Sequence, residues 1–346
     1  MSRNLITQKE VAEQLGVSVA TVSRVLNDRP GVGPELRQKI LDTLNEMDYT
    51  PNLTARGLAI AQTHAVAFVV HMSSQAAAGD PFYSTIMAGA EAYLARHNYH
   101  ILLTTVEDQL MARPEAFSVI RQGRVDGLIV AGPDISPTFI LHLLAAGVPL
   151  LLIDNCLAQS AVNCVLADNK GGMYDATRHL QEHEHGRIAF FSGPESWISN
   201  RERVQGYRQA MSEAGLEPLI LHAEETTIAT GEALMQQALE QWPDVTAVGA
   251  VNDAVAIGAV RAANRLGRQV PEDLAVIGFD DITWAVMNEP SLSTVHVFKR
   301  RMGKLAGQRL LECIQEPETA PTRTIVATEL VLRQSCGHAN KDIFRG

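Results

Sequence analysis

From Ala65 to the end of the chain, short apolar runs alternate with amphipathic stretches, and this alternation constrains the fold more than any other feature. The runs fall at residues 65–70, 101–104, 127–130, 149–153, 187–191, 219–221, 247–251 and 274–278. The stretches with helical periodicity fall at 83–97, 114–122, 137–146, 171–183, 201–214, 231–242, 254–266 and 300–315. Strand–helix alternation of this kind predicts parallel sheets covered on both faces. So long a stretch exceeds one simple sheet, so two doubly wound lobes are expected, with a ligand at the strand C-termini in the cleft between them. No internal repeat or low-complexity tract is visible.

Residues just past strand ends therefore carry the candidate binding chemistry. Phe82 and Tyr83 open a helix behind Asp80 and Pro81, and Asp154 and Asn155 follow a strand. Trp197, Arg201 and Arg203 sit at or before a helix start. Asn252 and Asp253 follow another strand, and Asp280, Asp281 and Trp284 follow a third. Carboxylates and amides take paired hydroxyls and aromatic faces cover apolar ring surfaces, so such a set suits a polyhydroxylated ligand. Asp253 reads better as a helix N-cap than as a ligand group, and Asp281 can be read the same way.

The N-terminal residues have a different texture. Thr7 followed by Glu10 forms a capping-box pair, and Ile6 with Val11 a hydrophobic staple. A short helix to Leu15, a turn at Gly16 and a second helix capped by Ser18 follow. Val22, Val25 and Leu26 share the inward face of that second helix. Val19, Ala20, Ser23, Arg24 and Asn27 lie on its outward side. Two short helices around a tight turn, with one small polar face, describe a helix-turn-helix, whose second helix fits a major groove. Arg24 suits a guanine edge or a phosphate, Ser23 and Thr21 suit phosphates, and Val19 or Ala20 a thymine methyl. Thr7 and Ser18, at the two helix starts, join the candidate DNA-contacting set. A third helix starts at Pro34 with Ile40, Leu41, Leu44 and Met47 as its apolar face, completing an all-α module over residues 1–50.

Charge and cysteine usage narrow the class. The 346-residue chain has a net charge of −10. Its first sixty residues are electrically neutral, so any DNA binding rests on a few placed cations, such as Arg3, Arg24, Lys39 and Arg56, and on dimerisation. With no signal peptide and no apolar run of transmembrane length, a cytoplasmic protein without membrane contact is expected. Cys156, Cys164, Cys313 and Cys336 show neither metal-ligand nor redox spacing. There is no GxSxG elbow, phosphate loop or HExxH, and no motif calls for a cofactor, so an enzyme is not expected. His179, His183 and His185 are read as structural rather than as a metal site.

The segment Val17-Ser-Val-Ala-Thr-Val-Ser-Arg-Val-Leu-Asn27 resembles the recognition segment of the lactose-repressor/galactose-repressor (LacI/GalR) family of bacterial transcription regulators. The resemblance continues through Tyr49-Thr-Pro-Asn52, Ala55-Arg56 and Leu58. It recurs at Pro81-Phe-Tyr83, Asp168-Asn169, Arg203-Val-Gln-Gly206, Asn252-Asp253 and Gly278-Phe-Asp-Asp281. It implies a type I periplasmic-binding-protein-like domain over 64–340, with lobe 1 at 64–162 and 292–324 and lobe 2 at 163–291 and 325–340. It makes 51–63 a hinge helix, where the residues alone allow a plain linker. Asn52, Ala55, Arg56 and Leu58 would then touch DNA, Leu58 as a minor-groove wedge. Matched to the family motifs, Arg203, Asn252 and Asp280 are the effector contacts, with Asp154, Trp197, Arg201, Phe82 and Trp284 completing the set. The implied activity is that of a homodimeric repressor on a palindromic, double-stranded operator, controlled by a small molecule, expected to be a sugar. The chain ends without an apolar heptad tail, which favours a dimer over a tetramer. The competing class is a small-molecule-binding protein without DNA function. Three departures from the family pattern stand out: the length of 72–79, Glu184 where a glycine is usual, with Gly186 expected to supply the left-handed helix end, and His296-Val-Phe298.

Overall fold

The computed structural model describes residues 6–26, 30–47, 62–72, 81–157 and 161–337. The chain divides into two compact units, Met1–Thr63 and His64–Gly346.

In the first unit, α1 (Gln8–Leu15), α2 (Val19–Leu26) and α3 (Pro34–Glu46) surround a small core. Val11, Ala12, Val22, Val25, Ile40 and Leu44 are buried there, with Ile6, Leu15, Leu26 and Met47 packed against them. The expected apolar face of α3 is altered at one position: Leu41 is 38% exposed. Thr43 is buried in its neighbourhood, its hydroxyl satisfied by donation to the Lys39 carbonyl at 2.9 Å.

The second unit begins with β1 (Ala65–His71), α4 (Pro81–Leu94), β2 (His100–Val106), α5 (Asp108–Met111), α6 (Ser118–Arg121), β3 (Gly127–Ala131), α7 (Pro137–Ala145), β4 (Leu150–Ile153) and β5 (Asn163–Ala167). It continues with α8 (Asn169–Glu182), β6 (Ile188–Ser192), α9 (Ile198–Glu213), β7 (Leu219–His222), α10 (Ile228–Gln241), β8 (Ala247–Ala250), α11 (Asp253–Arg265), β9 (Ala275–Asp280), α12 (Thr283–Met287) and β10 (Ser293–Val297). It ends with α13 (Lys299–Gln315), β11 (Arg323–Val326) and β12 (Thr328–Val331). The strands form two sheets, ordered β11-β5-β4-β3-β1-β2 and β12-β10-β9-β8-β6-β7. These orders are the same pattern used twice, although the sequence shows no repeat. Pairing is parallel except between β10 and β12.

The sheets show where the chain crosses between lobes. The first sheet keeps β5 to Ala167, the second keeps β10 to Val297, and the first regains β11 to Val326. The crossings follow those residues, a little later than the expected positions near Val162, Leu292 and Thr324. Each strand pairs across its own sheet for its full length before the chain leaves. The expected helix at 114–122 is interrupted, because Phe117 is extended, with φ −65 and ψ 98, and buries its ring beside Phe139. Close helix packing in each lobe depends on missing side chains. A Cβ on Gly89 would strike the carbonyl of Arg300, and one on Gly303 that of Ile86. In the second lobe Gly231 and Gly258 bring α10 and α11 together in the same reciprocal way.

Candidate functional site

The recognition surface of the first unit is built by local hydrogen bonds. The Glu10 amide donates to Thr7 Oγ1 at 3.3 Å, and the Thr7 amide donates back to Glu10 Oε2 at 2.6 Å. The Thr7 backbone bond, with help from its hydroxyl, holds the Glu10 carboxyl below its ordinary range. Gly16 turns the chain at φ +64. Ser18 Oγ then accepts the Thr21 amide at 3.1 Å and shares a hydrogen bond with the Thr21 hydroxyl at 2.8 Å. With Val22 and Val25 buried, Val19, Ala20 and Arg24 stand exposed, and Thr21 and Ser23 are half-buried beside them. That is an exposed patch of small residues with one long cation, the shape a groove-reading helix needs. Asn27, Asn52, Ala55, Arg56 and Leu58 lie outside the described residues.

In the second lobe the polar groups at the strand ends are densely bonded. Arg203 on α9 is 5% exposed. Its Nε donates to Asn169 Oδ1 at 2.9 Å, and its terminal nitrogens donate to the Val251 carbonyl and, at 3.3 Å, to Asp280 Oδ1. The guanidinium also lies 3.8 Å over the Phe279 ring. Asp280 and Asp281 both take positive φ, +107 and +51. Backbone of this kind persists only where its surroundings hold it, and Lys299 does so by donating to the carbonyls of both residues and of Val297. The Asp281 carboxylate is clamped by His296 and Arg333, each at 2.7 Å. Burial pushes its pKa up, but those two donors outweigh burial and leave it below the usual range.

The cap assignments at this site differ from expectation. Asn252, not Asp253, caps α11: its Oδ1 accepts the Val255 amide at 2.9 Å, and its Nδ2 donates to the Thr226 carbonyl at 3.2 Å. Asp253 is the first helical residue and fully buried, accepting from the Ile282 amide at 2.8 Å and the Thr294 hydroxyl at 2.5 Å. Burial, reinforced by the charge of Asp280, raises its carboxyl well above the ordinary value. Asp281 caps no helix, since the cap position of α12 is Ile282.

The first lobe presents fewer bonds. Asp154 follows β4 at φ +54 and is 5% exposed. The Tyr83 hydroxyl donates to its Oδ2 at 3.2 Å. Burial pushes its pKa up to about 7, opposed by the positive charge of Arg203 and aided by the negative charge of Asp280. Asn155, the next residue, and Arg201, two residues before Arg203, line one cavity from opposite lobes, which puts Asp154 and Arg203 beside the same cleft. Beside it, His71 bridges Asp134 at 3.1 Å and Asp108 at 3.3 Å. Burial raises the Asp134 carboxyl although His71 opposes the shift.

Adjoining this cluster is a cavity of about 980 Å³ lined from both lobes, by His71, Asp108, Asp134 and Asn155 on one side and Trp197, Arg201, Glu224, Glu225 and Thr226 on the other. Of the sequence-derived set, Trp197 and Arg201 line the cavity, while Asp154, Arg203 and Asp280 form the charged cluster. Asn252 is committed to its cap. Phe82 is buried in the first-lobe core, edge-on to Tyr83 at 5.1 Å, and Trp284 is 40% exposed on α12 outside the cavity lining. His71, Asp134, Glu224 and Glu225 were missed, yet the strand-end rule identifies all four: they end or follow β1, β3 and β7. Tyr83, near the start of α4, adds the hydroxyl that bonds Asp154.

The flanking histidines also have local roles. His183 Nδ1 lies 2.8 Å from the His179 carbonyl, and His185 Nδ1 lies 3.1 Å from the Thr246 hydroxyl. Glu184 itself takes the left-handed conformation, at φ +66, so Gly186 does not supply it. Among the described residues no group of three or more His, Cys, Asp or Glu could hold a metal, and no helix is long and apolar enough to cross a membrane.

A helix-turn-helix unit in one chain with two doubly wound lobes, and polar groups from both lobes meeting at a cleft, defines a ligand-binding regulator class. Residues 7–52 match the family described as bacterial regulatory proteins, lacI family. Residues 63–334 match periplasmic binding proteins and sugar binding domain of LacI family. The chain belongs to the LacI family. It is 33% identical to the HTH-type transcriptional regulator CelR of Thermobifida fusca, over 95% of this chain and 98% of that protein. A solved CelR–cellobiose complex superposes with a TM-score of 0.73 at 33% identity, covering 95% of this chain and 99% of that one. The lac repressor dimer bound to operator and the anti-inducer ONPF superposes with a TM-score of 0.82 at 27% identity, covering 96% and 99%.

Proposed function

We propose that this protein is a cytoplasmic transcriptional repressor that binds a palindromic operator as a homodimer and changes its DNA affinity when a sugar occupies the cleft between its lobes. The observation that carries the reading is the cross-lobe cluster. Asn155, next to Asp154, and Arg201, on the same helix as Arg203, line one cavity from opposite lobes, and Lys299 at the start of first-lobe α13 donates to the carbonyls of Asp280 and Asp281, so a ligand bonded across this space bears on how the lobes are held together. A ligand with different affinity for two lobe arrangements shifts their populations, and that is the required allosteric coupling. The exposed face of α2 supplies the DNA-reading half. Leu102 and Leu103, 39% and 54% exposed on the edge strand β2, offer apolar surface to a second copy. The operator-bound lac repressor dimer and the cellobiose-bound CelR support the DNA, dimer and sugar elements.

Two variants test the reading in a gel-shift titration at fixed salt on DNA upstream of the protein's own gene. Arg24→Ala should lower operator affinity, since a bidentate base contact is worth about 1–3 kcal/mol per half-site. Asp280→Ala should bind the operator normally and stop responding to the sugar. An Arg24→Ala protein with parental affinity would refute the docking of α2, and an Asp280→Ala protein with the parental sugar response would move the effector site elsewhere.

A further inference from the structure

The cavity beside the charged cluster carries information about which sugar it takes. Asp108 and Asp134 on the first lobe and Glu224 and Glu225 on the second line it. Arg201 is the guanidinium among its lining residues, and it already donates to the carbonyls of Glu195 and Ser196 at 3.0 and 2.6 Å. Further in, Arg203 is held by Asp280, Asn169 and the Val251 carbonyl, and Lys299 by three backbone carbonyls. The nearby cations are thus engaged by the protein's own acceptors, while Glu224 and Glu225 face the space from one side and Asp108 and Asp134, joined through His71, from the other.

We infer that the cleft selects an uncharged glycoside at least two rings long and rejects phosphorylated sugars and sugar acids. This rests on the reading of the cleft as the effector site. Three helix starts act in the opposite direction. Ser136, Trp197 and Thr227 precede α7, α9 and α10 and all line the cavity. A helix N-terminus is worth about half a positive charge, and two of the three are already capped by the hydroxyls of Ser136 and Thr227. Together with Arg201, and with His71 bridging Asp108 and Asp134, they soften the field of the four acidic side chains without reversing it. Carboxylates accept hydroxyl protons from an uncharged sugar, and the half-buried Trp197 offers an indole face for a ring. The length follows from the space. A cavity of about 980 Å³ stands at the upper end of pockets for drug-sized ligands, about 300–1,000 Å³. It adjoins the Asp154–Arg203–Asp280 cluster through Asn155, which follows Asp154 in the chain, and Arg201, which precedes Arg203 on α9. A single ring bonded to the cluster would leave the outer space to water.

The test is calorimetry on the full chain at low salt, because Asp108, Glu224 and Glu225 are exposed and their field is screened by added ions. The probes are cellobiose, maltose and lactose, then glucose and galactose, then glucose 6-phosphate, trehalose 6-phosphate and glucuronate. The expected result is one uncharged disaccharide binding at least tenfold more tightly than its monosaccharides and at least a hundredfold more tightly than any anion. The double variant E224Q/E225Q, checked for an unchanged melting curve, should narrow the gap between uncharged and anionic probes about tenfold. An anion that matched the best uncharged probe, or a monosaccharide that matched its disaccharide, would overturn the inference. If that probe also altered operator affinity in a gel shift, the effector reading would stand without it. If no probe bound and none altered operator affinity, the effector reading and the inference would fall together.

Discussion

The two lobes share a strand order and the same device of reciprocal glycines between helices, yet they treat charge at the cleft differently. In the second lobe Arg203 pairs with Asp280, and His296 and Arg333 clamp Asp281, while Lys299 at the start of the first-lobe helix α13 reaches across to the carbonyls of Asp280 and Asp281. In the first lobe Asp154 is buried with the Tyr83 hydroxyl as its described side-chain hydrogen-bond partner. One half of the site is fixed before a ligand arrives, while the other holds a carboxyl whose ionisation depends on what faces it. A shared scaffold therefore says little about where a site is rigid. That is decided by how many donors and acceptors each lobe's strand ends find, within the lobe or, as with Lys299, across from the other.

The largest expected effect tests the rigid half. Arg203→Ala leaves buried acceptors unpaired, and breaking a buried ion pair costs about 3–5 kcal/mol. Tyr83→Phe, which removes one hydrogen bond in the first lobe, should cost about 0.5–1.5 kcal/mol. Urea denaturation of the two variants gives both numbers, and equal losses would erase the contrast.

The next effect concerns pH. Asp154 has a folded pKa of about 7, above its unfolded value, so between about pH 4 and 7 the native state holds the proton that the unfolded chain releases. Stability drawn from this group falls as pH rises through that window and stays lower above it. Asp154→Asn should therefore stabilise the protein by roughly 2–4 kcal/mol at pH 8 and by much less at pH 5. Asp281 has the opposite sign. Its lowered pKa contributes stability present at neutral pH and lost as the pH falls below the ordinary carboxylate range, so the penalty for Asp281→Asn should shrink in acid. Denaturation midpoints across pH would show opposite slopes for the two variants. Parallel slopes would contradict the assignment of a poised and a fixed half.

The scaffold itself should respond alike in both lobes. Ser136 caps α7 in the first and Thr227 caps α10 in the second, accepting amides at 3.2 and 3.0 Å. Each Ala replacement should cost about 1 kcal/mol, and a threefold disparity in thermal unfolding would mean that the lobes differ in more than charge. The smallest effect belongs to Glu184, left-handed at φ +66. Glu184→Gly relieves a strain of about 1–2 kcal/mol and adds chain entropy costing about 0.5–1 kcal/mol. The net gain should be about 0.5 kcal/mol, read as a small rise in Tm; a lower Tm would count against the strain.

What the sequence determined by itself was local. The capping box at Thr7 and Glu10, the Ser18 cap, the inward valines of α2 and the alternation of strands and helices depend on residues a few positions apart, so their signals lie side by side. The strands that lie outside the apolar runs are β5, β10, β11 and β12, which flank the crossings between lobes. Each mixes polar residues with its apolar ones, and β5 and β11 find each other across more than half the second unit, as Cys164 opposite Arg323 shows. Only tertiary structure supplied that pairing and, with it, where the chain changes lobes. The site divides in the same way. Sequence placed Asp154, Arg203 and Asp280 at strand ends or a helix start, and the Asn252 cap, a bond to the amide three residues on, was equally local; nothing local said that Lys299 would hold the carbonyls of Asp280 and Asp281. Nor did it say that Asp281 would be clamped by His296 and Arg333, or that His71, Asp134 and Glu224 would share one cavity. A hydrogen bond with a near neighbour can be read from spacing. One with a residue on another strand or lobe depends on which surfaces the packed sheets bring together.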